Sequence, residues 1–308
     1  MAGQNGDLNV AARDREIKDR ALDSEGAQTI TLLISCPDQP GIVAAVSRCI
    51  FEHGGNIIQS DQHSTSLHNG TFFMRISIAA DRLTLGLAEF AVAFRPIAEH
   101  FAMGWEMRDA RRRKRGAILV SQQDHCLVDL LWRWKRNELP MDIVCIVSNH
   151  QGLEPIAAQY GIAFEYMPMR REQRHEDQQR MLDVLRERAE FLILARYMQI
   201  LEPFVVAAYP NRVINIHHSF LPAFSGANAY ARAFERGVKL VGATAHYVTD
   251  VLDEGPIIAQ DVIHCNHRDT LDDLVRKGRD VERRVLAEAV RLHLEDRVLV
   301  YENKTIVF

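Results

Sequence analysis

No window of 18 apolar residues occurs in this chain of 308 residues, so a helical membrane span is not expected. Cysteine is scarce. The five cysteines are an odd number and include no C-x-x-C pair, which argues against a disulfide framework and a dithiol redox motif. Cys36, Cys49 and Cys145 lie in apolar runs, where a thiol behaves as a small hydrophobe. The expected compartment is the reducing cytoplasm. Excess charge is lacking too: 37 basic against 41 acidic residues give a net charge of −4, so no general attraction to nucleic acid follows. The basic run at residues 111–115 is short and reads as a solvated linker. No H-E-x-x-H and no Cys/His pair at ligand spacing accompanies His217, His218, His246, His264 and His267, so no metal is expected. Residues 1–27 are polar, carry both charge signs and lack the apolar core of a signal peptide. They are expected to be a disordered tail.

What is present suffices for two domains, expected at residues 28–110 and 115–308. The first reads as a strand over 29–35, then a turn that opens a helix with Pro40 at its first position. Ile42, Val46, Cys49 and Ile50 share one helical face. Strands over 57–66 and 71–79 flank an Asn69-Gly70 turn. A helix over 83–101, limited or kinked at Pro96, and a strand over 105–108 complete a ferredoxin-like βαββαβ order. From Gly116 onward, strands alternate with helices, which predicts an α/β, doubly wound and mostly parallel sheet. The charged helix over 173–188 reads as a solvated face. A closing hairpin is expected at 298–301 and 305–308, with Asn303-Lys304 at its tip.

The informative stretch is Val213–His217, a short β-branched run interrupted by Asn215. Side chains alternate along a strand, so Asn215 and His217 face the same side. Pro222 and Ser225-Gly226 then break the pattern, placing His217 at the strand's carboxyl end, where open α/β sheets bind ligands. An amide donor beside an imidazole can stabilise negative charge on a substrate oxygen. A second run, residues 246–256, places His246 at the end of a β-like stretch. Asp250, Asp253 and Glu254 follow in a turn closed by Gly255-Pro256. Spacing alone is equally compatible with a satisfied buried amide and a solvated acidic turn.

Together NIHHSFLPAF and GATAHYVTDVLDEGPII resemble the formyltransferase-fold enzymes that use 10-formyltetrahydrofolate, and among them the deformylase branch. The resemblance spans about residues 115–308. It implies a catalytic trio of Asn215, His217 and Asp253, with His246 as a second active-site histidine. It implies a folate pocket lined by Tyr197, Met198, Gln199 and Leu201, with Asp250, Glu254 and Gly255 from the later turn. The implied reaction is hydrolysis to formate and tetrahydrofolate, feeding purine synthesis and balancing one-carbon pools. The folate is substrate, so no cofactor is implied. CPDQPGIVAAV with a hairpin ending in FFMR resembles an ACT domain. That resemblance implies a homo-oligomer, dimer or tetramer, and an amino-acid effector at Asp38, Gln39, Pro40, Gly41 and Ile42, where free helix amides can meet a carboxylate.

Two other functions fit parts of this pattern: formyl transfer to an amine, and a non-enzymatic folate or amino-acid sensor. A sensor needs no Asn/His/Asp trio. In glycinamide ribonucleotide transformylases the turn after the first strand is Gly-rich and cradles a phosphate. Here Ser121-Gln122-Gln123-Asp124 has no glycine and carries an acid, so water is the expected acceptor.

Overall fold

Runs of β-branched and aromatic residues become the buried strands of two separate sheets. A computed structural model describes residues 29–66, 69–223 and 229–308; the tail expected at 1–27 lies outside these. The chain divides into two units, one ending at Arg112 and the other running Arg113–Val307. The first contains β1 (Thr29–Pro37), α1 (Ile42–Glu52), β2 (Asn56–Ser64), β3 (Thr71–Ala79), α2 (Leu87–His100) and β4 (Gly104–Asp109). Its sheet is antiparallel in the order β2-β3-β1-β4, the expected split βαβ arrangement. Period-two alternation sets its core. Ile30, Leu32 and Ile34 pair across with Ile78, Ile76 and Met74, and all six join one cluster with Val46 and Ile50 of α1 and Phe90 and Phe94 of α2.

Pro40 does not begin α1. Gly41 adopts φ 97°, a left-handed conformation that cannot continue as helix, so Pro40-Gly41 form a turn and the helix opens at Ile42. The second helix starts at Leu87, later than expected, where the Gly86 amide donates to Glu89 Oε2. It runs on through Pro96.

The second unit comprises β5 (Lys114–Val120), α3 (His125–Lys135), β6 (Met141–Ser148), α4 (Glu154–Gln159), β7 (Phe164–Tyr166), α5 (Arg174–Leu185) and β8 (Phe191–Leu194). It continues with α6 (Pro203–Ala208), β9 (Val213–His217), α7 (Ala229–Arg236), β10 (Leu240–Tyr247), β11 (Ile257–His264), α8 (Leu271–Leu294), β12 (Val298–Tyr301) and β13 (Lys304–Val307). Among the described residues the main sheet has the order β11-β10-β9-β8-β5-β6-β7, and β10 alone runs antiparallel to the other six strands. Its central strands are apolar on both sides because helices cover both faces. Along β5, Ile118 and Val120 enter one core with Leu127, Leu131 and Val285, while Ala117 and Leu119 enter the other with Met181, Leu185 and Val205.

Some local expectations change. The helix α6 has too few residues for a visible apolar period and was not expected; its signal is Pro203 in the first turn. The hairpin tip is Glu302-Asn303, since Lys304 pairs with Tyr301. The charged helix α5 is not simply a solvated face. Asp177 and Gln178 are buried, and Gln178 accepts from the Glu202 amide and donates to the Ile200 carbonyl. No helix among the described residues is long and apolar enough to cross a membrane.

Chain direction locates the crevice. Parallel β5, β8 and β9 lie side by side in the order β9-β8-β5, so Val120, Leu194 and His217 end at one edge. The connection reverses between β5 and β8, the switch point where α/β sheets bind ligands. Packing beneath this edge is close: a Cβ on Gly116 would lie 2.6 Å from Phe191 Cζ. Gly116→Ala is expected to destabilise the protein by about 1–3 kcal/mol. A lowered urea midpoint with an unchanged slope would register it; an unchanged midpoint would mean that the Phe191 ring yields freely.

Candidate active site

Antiparallel pairing of β9 with β10 sets Asn215 directly opposite His246, and His217 opposite Thr244. The Asn215 amide nitrogen lies 3.2 Å from His246 Nε2, and His246 Nδ1 lies 2.9 Å from the Tyr247 carbonyl. A carbonyl only accepts, so Nδ1 carries the proton and Nε2 accepts from Asn215. Burial lowers the His246 pKa against the raising effects of the Tyr247 carbonyl and Asp253, which keeps the ring neutral at pH 7. One of the two Asn215 amide hydrogens is thereby used, and the other has no partner among the described residues.

The turn after β10 closes over this pair. A Cβ on Gly255 would stand 1.8 Å from the Tyr247 carbonyl oxygen, so only glycine lets the turn lie so close. That closeness delivers Asp253, whose backbone is left-handed at φ 58°, a conformation that aspartate tolerates better than most residues. Asp253 Oδ1 lies 3.2 Å from His217 Nδ1 and 3.8 Å from His246 Nε2. Desolvation pushes the Asp253 pKa up, but the His217 hydrogen bond and the neighbouring imidazoles outweigh it, so the carboxyl titrates below its usual range. Asp253 is therefore ionised at pH 7 and orients the His217 ring through Nδ1. The opposite nitrogen, His217 Nε2, is buried with no partner among the described residues. Leaving a buried polar nitrogen unpaired costs about 1–3 kcal/mol, so a ligand is the natural partner for it.

Two loops edge this cluster with exposed apolar side chains. Met198 and Ile200 follow β8 and are 59% and 54% exposed; Val251 and Leu252 precede Asp253 and are exposed as well. The loop after β8 is pinned to the turn after β5. The Met198 amide donates to Ser121 Oγ, and the Ser121 amide donates to the Arg196 carbonyl.

Comparison with known proteins follows the same division. The ACT domain family matches residues 30–93 and the formyl transferase family residues 114–290. The chain is 51% identical over 281 residues to a formyltetrahydrofolate deformylase of Synechocystis sp., covering 91% of this chain and 98% of the other. The crystal structure of a formyltetrahydrofolate deformylase from Pseudomonas syringae pv. tomato superimposes with a TM-score of 0.91 at 46% identity, covering 96% of this chain and 99% of that one. The chain belongs to the formyltetrahydrofolate deformylases. A glycinamide ribonucleotide transformylase from Symbiobacterium toebii is similar over 64% of this chain and 94% of its own, with 30% identity and a TM-score of 0.59.

In this member of the deformylase family, Asn215, His217, His246 and Asp253 come together, and Gly255 shapes the turn that carries Asp253. The expected folate-lining loop divides. Met198 is exposed and Gln199 half-buried, but Tyr197 and Leu201 point into the core, with the Tyr197 hydroxyl 3.8 Å from Met181 Sδ. Ile200 takes the exposed place assigned to Leu201. Its signal was its position, since residues flanking a buried loop anchor face outward. Asp250 and Glu254 are exposed on the turn, and the Glu254 carbonyl accepts from Asn303. His264 and His267 are exposed.

His218, next to the cluster, is held neutral: burial, then Arg196 and His217, bring its pKa down to about 4 against the opposing pull of Glu282 and Asp253. An unfolded histidine takes its proton near pH 6.5. The unfolded state thus binds the proton first, and stability falls as pH drops from about 6.5 towards 4. Urea midpoints measured across this range should fall less steeply in His218→Gln than in the parent. Equal slopes would show that other groups carry the effect.

Proposed function

We propose that this chain hydrolyses 10-formyltetrahydrofolate to formate and tetrahydrofolate, with Asn215, His217 and Asp253 around the formyl carbon. The observation that carries this reading is the ionised Asp253 against His217 Nδ1, with His217 Nε2 buried and without a partner among the described residues. Water attacks the formyl carbon and passes a proton to Asp253. The tetrahedral oxyanion takes a hydrogen bond from the free Asn215 amide hydrogen, and His217 Nε2 donates to it when the ring carries both protons. Collapse breaks the C–N bond, and the folate nitrogen leaves with the proton that Asp253 took from the water. One such oxyanion donor is worth about 3–4 kcal/mol of barrier. Hydrolysis moves no electrons, and the folate is the substrate.

The apolar rim of Met198, Ile200, Val251 and Leu252 suits the flat ring of a folate, and Gln199, Asp250 and Glu254 supply polar groups at its edge. The formate released would supply purine synthesis and balance one-carbon pools. All five cysteines are free and buried, which fits a reducing cytoplasm. Asp253→Asn preserves shape and removes the base. It is expected to lower formate release at least about 10²-fold while folate binding persists. Near-normal turnover would end the assignment.

The first unit supports an amino-acid effector site and assembly. Helix α1 has no side-chain cap and no acid in its first turn, so its opening amides are available to a carboxylate. Asp38 accepts from Ser64 Oγ, and Gln39, Pro40 and Gly41 line the turn. Ile42 is core and can offer only its amide. Titration calorimetry with a panel of amino acids should find a binder whose heat is lost in a Gly41→Val variant, and light scattering should report a dimer or tetramer. No binder removes the effector role, and a monomer removes the assembly role.

A further inference from the structure

We propose that the hairpin of β12 and β13 belongs to the active site: Asn303 and Thr305 are positioning residues that hold the Asp253 turn against His217. This rests on the hydrolytic reading above and adds what keeps its carboxylate in place. The turn needs a brace from outside. Val251 and Leu252 project from it into solvent, so they anchor nothing. Its internal backbone bond, from the Glu254 amide to the Val251 carbonyl, is long at 3.4 Å. Asp253 itself is left-handed at φ 58°. Such a backbone costs a non-glycine residue about 1–3 kcal/mol and persists only where the surrounding structure fixes it.

The hairpin supplies that brace. Asn303 Nδ2 donates to the Glu254 carbonyl at 2.9 Å, and Thr305 Oγ1 donates to the Ile257 carbonyl at 2.5 Å. These carbonyls bracket Gly255-Pro256, the pair that closes the turn. Among the described residues β12 and β13 pair only with each other, so the link to β11 and the turn runs through side chains rather than a strand ladder. The hairpin is itself rooted. Val298 and Val300 of β12 pack on the large core of the sheet. Just before them, Lys114 Nζ at the start of β5 donates to the His293 and Leu294 carbonyls at 2.5 and 3.2 Å and meets the Asp296 carboxylate at 2.5 Å. His293 Nδ1 in turn lies 2.9 Å from the Tyr247 hydroxyl. Tyr247 is the residue whose carbonyl stands against Gly255 and accepts from His246 Nδ1. The end of α8 thus grips the start of the turn, and the hairpin grips its close.

Small displacements matter here. Asp253 Oδ1 stands 3.2 Å from His217 Nδ1, at the long end of the hydrogen-bond range. A retreat of the turn by about 0.4 Å would carry the pair out of that range. Desolvation works against the Asp253 carboxylate, and the His217 bond with the neighbouring imidazoles of His246 and His218 outweighs it. A loosened turn therefore costs the base both its orientation and the partner that keeps it ionised. Asn303 and Thr305 touch neither His217 nor the reacting atoms. Their effect on the rate is expected to pass through Asp253.

The test is a double-mutant cycle on the full chain, with formate release from 10-formyltetrahydrofolate as the rate. Thr305→Val removes the hydroxyl and nearly keeps the shape; it should lower kcat about tenfold. Thr305→Ser restores the donor and should stay within about twofold of the parent. In an Asp253→Asn background, Thr305→Val should change kcat by less than about twofold, because the group it positions is already gone. A general loosening of the fold would cost the same factor in both backgrounds. That equal loss overturns the proposal, and so does a kcat within about twofold of the parent in both Thr305→Val and Asn303→Ala. Should Thr305→Val fail to fold, Asn303→Ala at the exposed hairpin tip carries the same cycle, and its result decides. Near-normal formate release by Asp253→Asn alone would instead sink the hydrolytic reading, a result the cycle keeps separate.

Discussion

The contact between Asp253 and His217 Nδ1 is the constraint on which the rest of the catalytic unit turns. It joins a strand end to a turn many residues later, and it can form only if β10 lies antiparallel to β9 in the observed register. That register also puts His246 against Asn215. Gly255 is equally necessary, since any side chain there would push the turn away from the Tyr247 carbonyl and carry Asp253 with it. Four polar side chains are thus fixed by strand pairing and one glycine.

Burial raises the stakes of that geometry. Low local polarity makes the Asp253 carboxylate costly to hold unless imidazoles face it, and it keeps His218 and His246 neutral. The surrounding sheet tolerates this because its central strands are apolar on both faces and supply two large cores. Among the described residues, two of the four buried unpaired side-chain atoms, His217 Nε2 and Ser219 Oγ, lie at the carboxyl edge, together with the left-handed backbones of Arg196 and Asp253. Such features persist where neighbouring structure over-determines them and where a ligand completes the pairing.

Two charged assemblies meet at His218. One holds an ionised carboxylate against histidines and faces the apolar rim. The other locks Glu282 among Arg196, Tyr230 and His125 and is internally satisfied. Their contrast is physical: the first leaves a nitrogen unpaired, and the second offers no comparable vacancy.

The sequence by itself determined the two folds, because periods of 2 and 3.6 mark strands and helices wherever one face is buried. It also determined that Asn215 and His217 share a side, which follows from strand alternation within three residues. The resemblance of two motifs then pointed to Asp253 and His246. What only the tertiary structure decided lies where no period exists or where partners are far apart in the chain. The loop after β8 has no repeat, so nothing local could say that Tyr197 and Leu201 face the core while Met198 and Ile200 face out. Helix α5 looked solvated because charge dominates its composition, yet Gln178 is buried by the backbone of a loop that folds over it. Arg196 and Glu282 look unremarkable in sequence. They meet because parallel β5, β8 and β9 end at one edge and α8 packs across them, a long-range consequence of sheet order that local chemistry cannot encode.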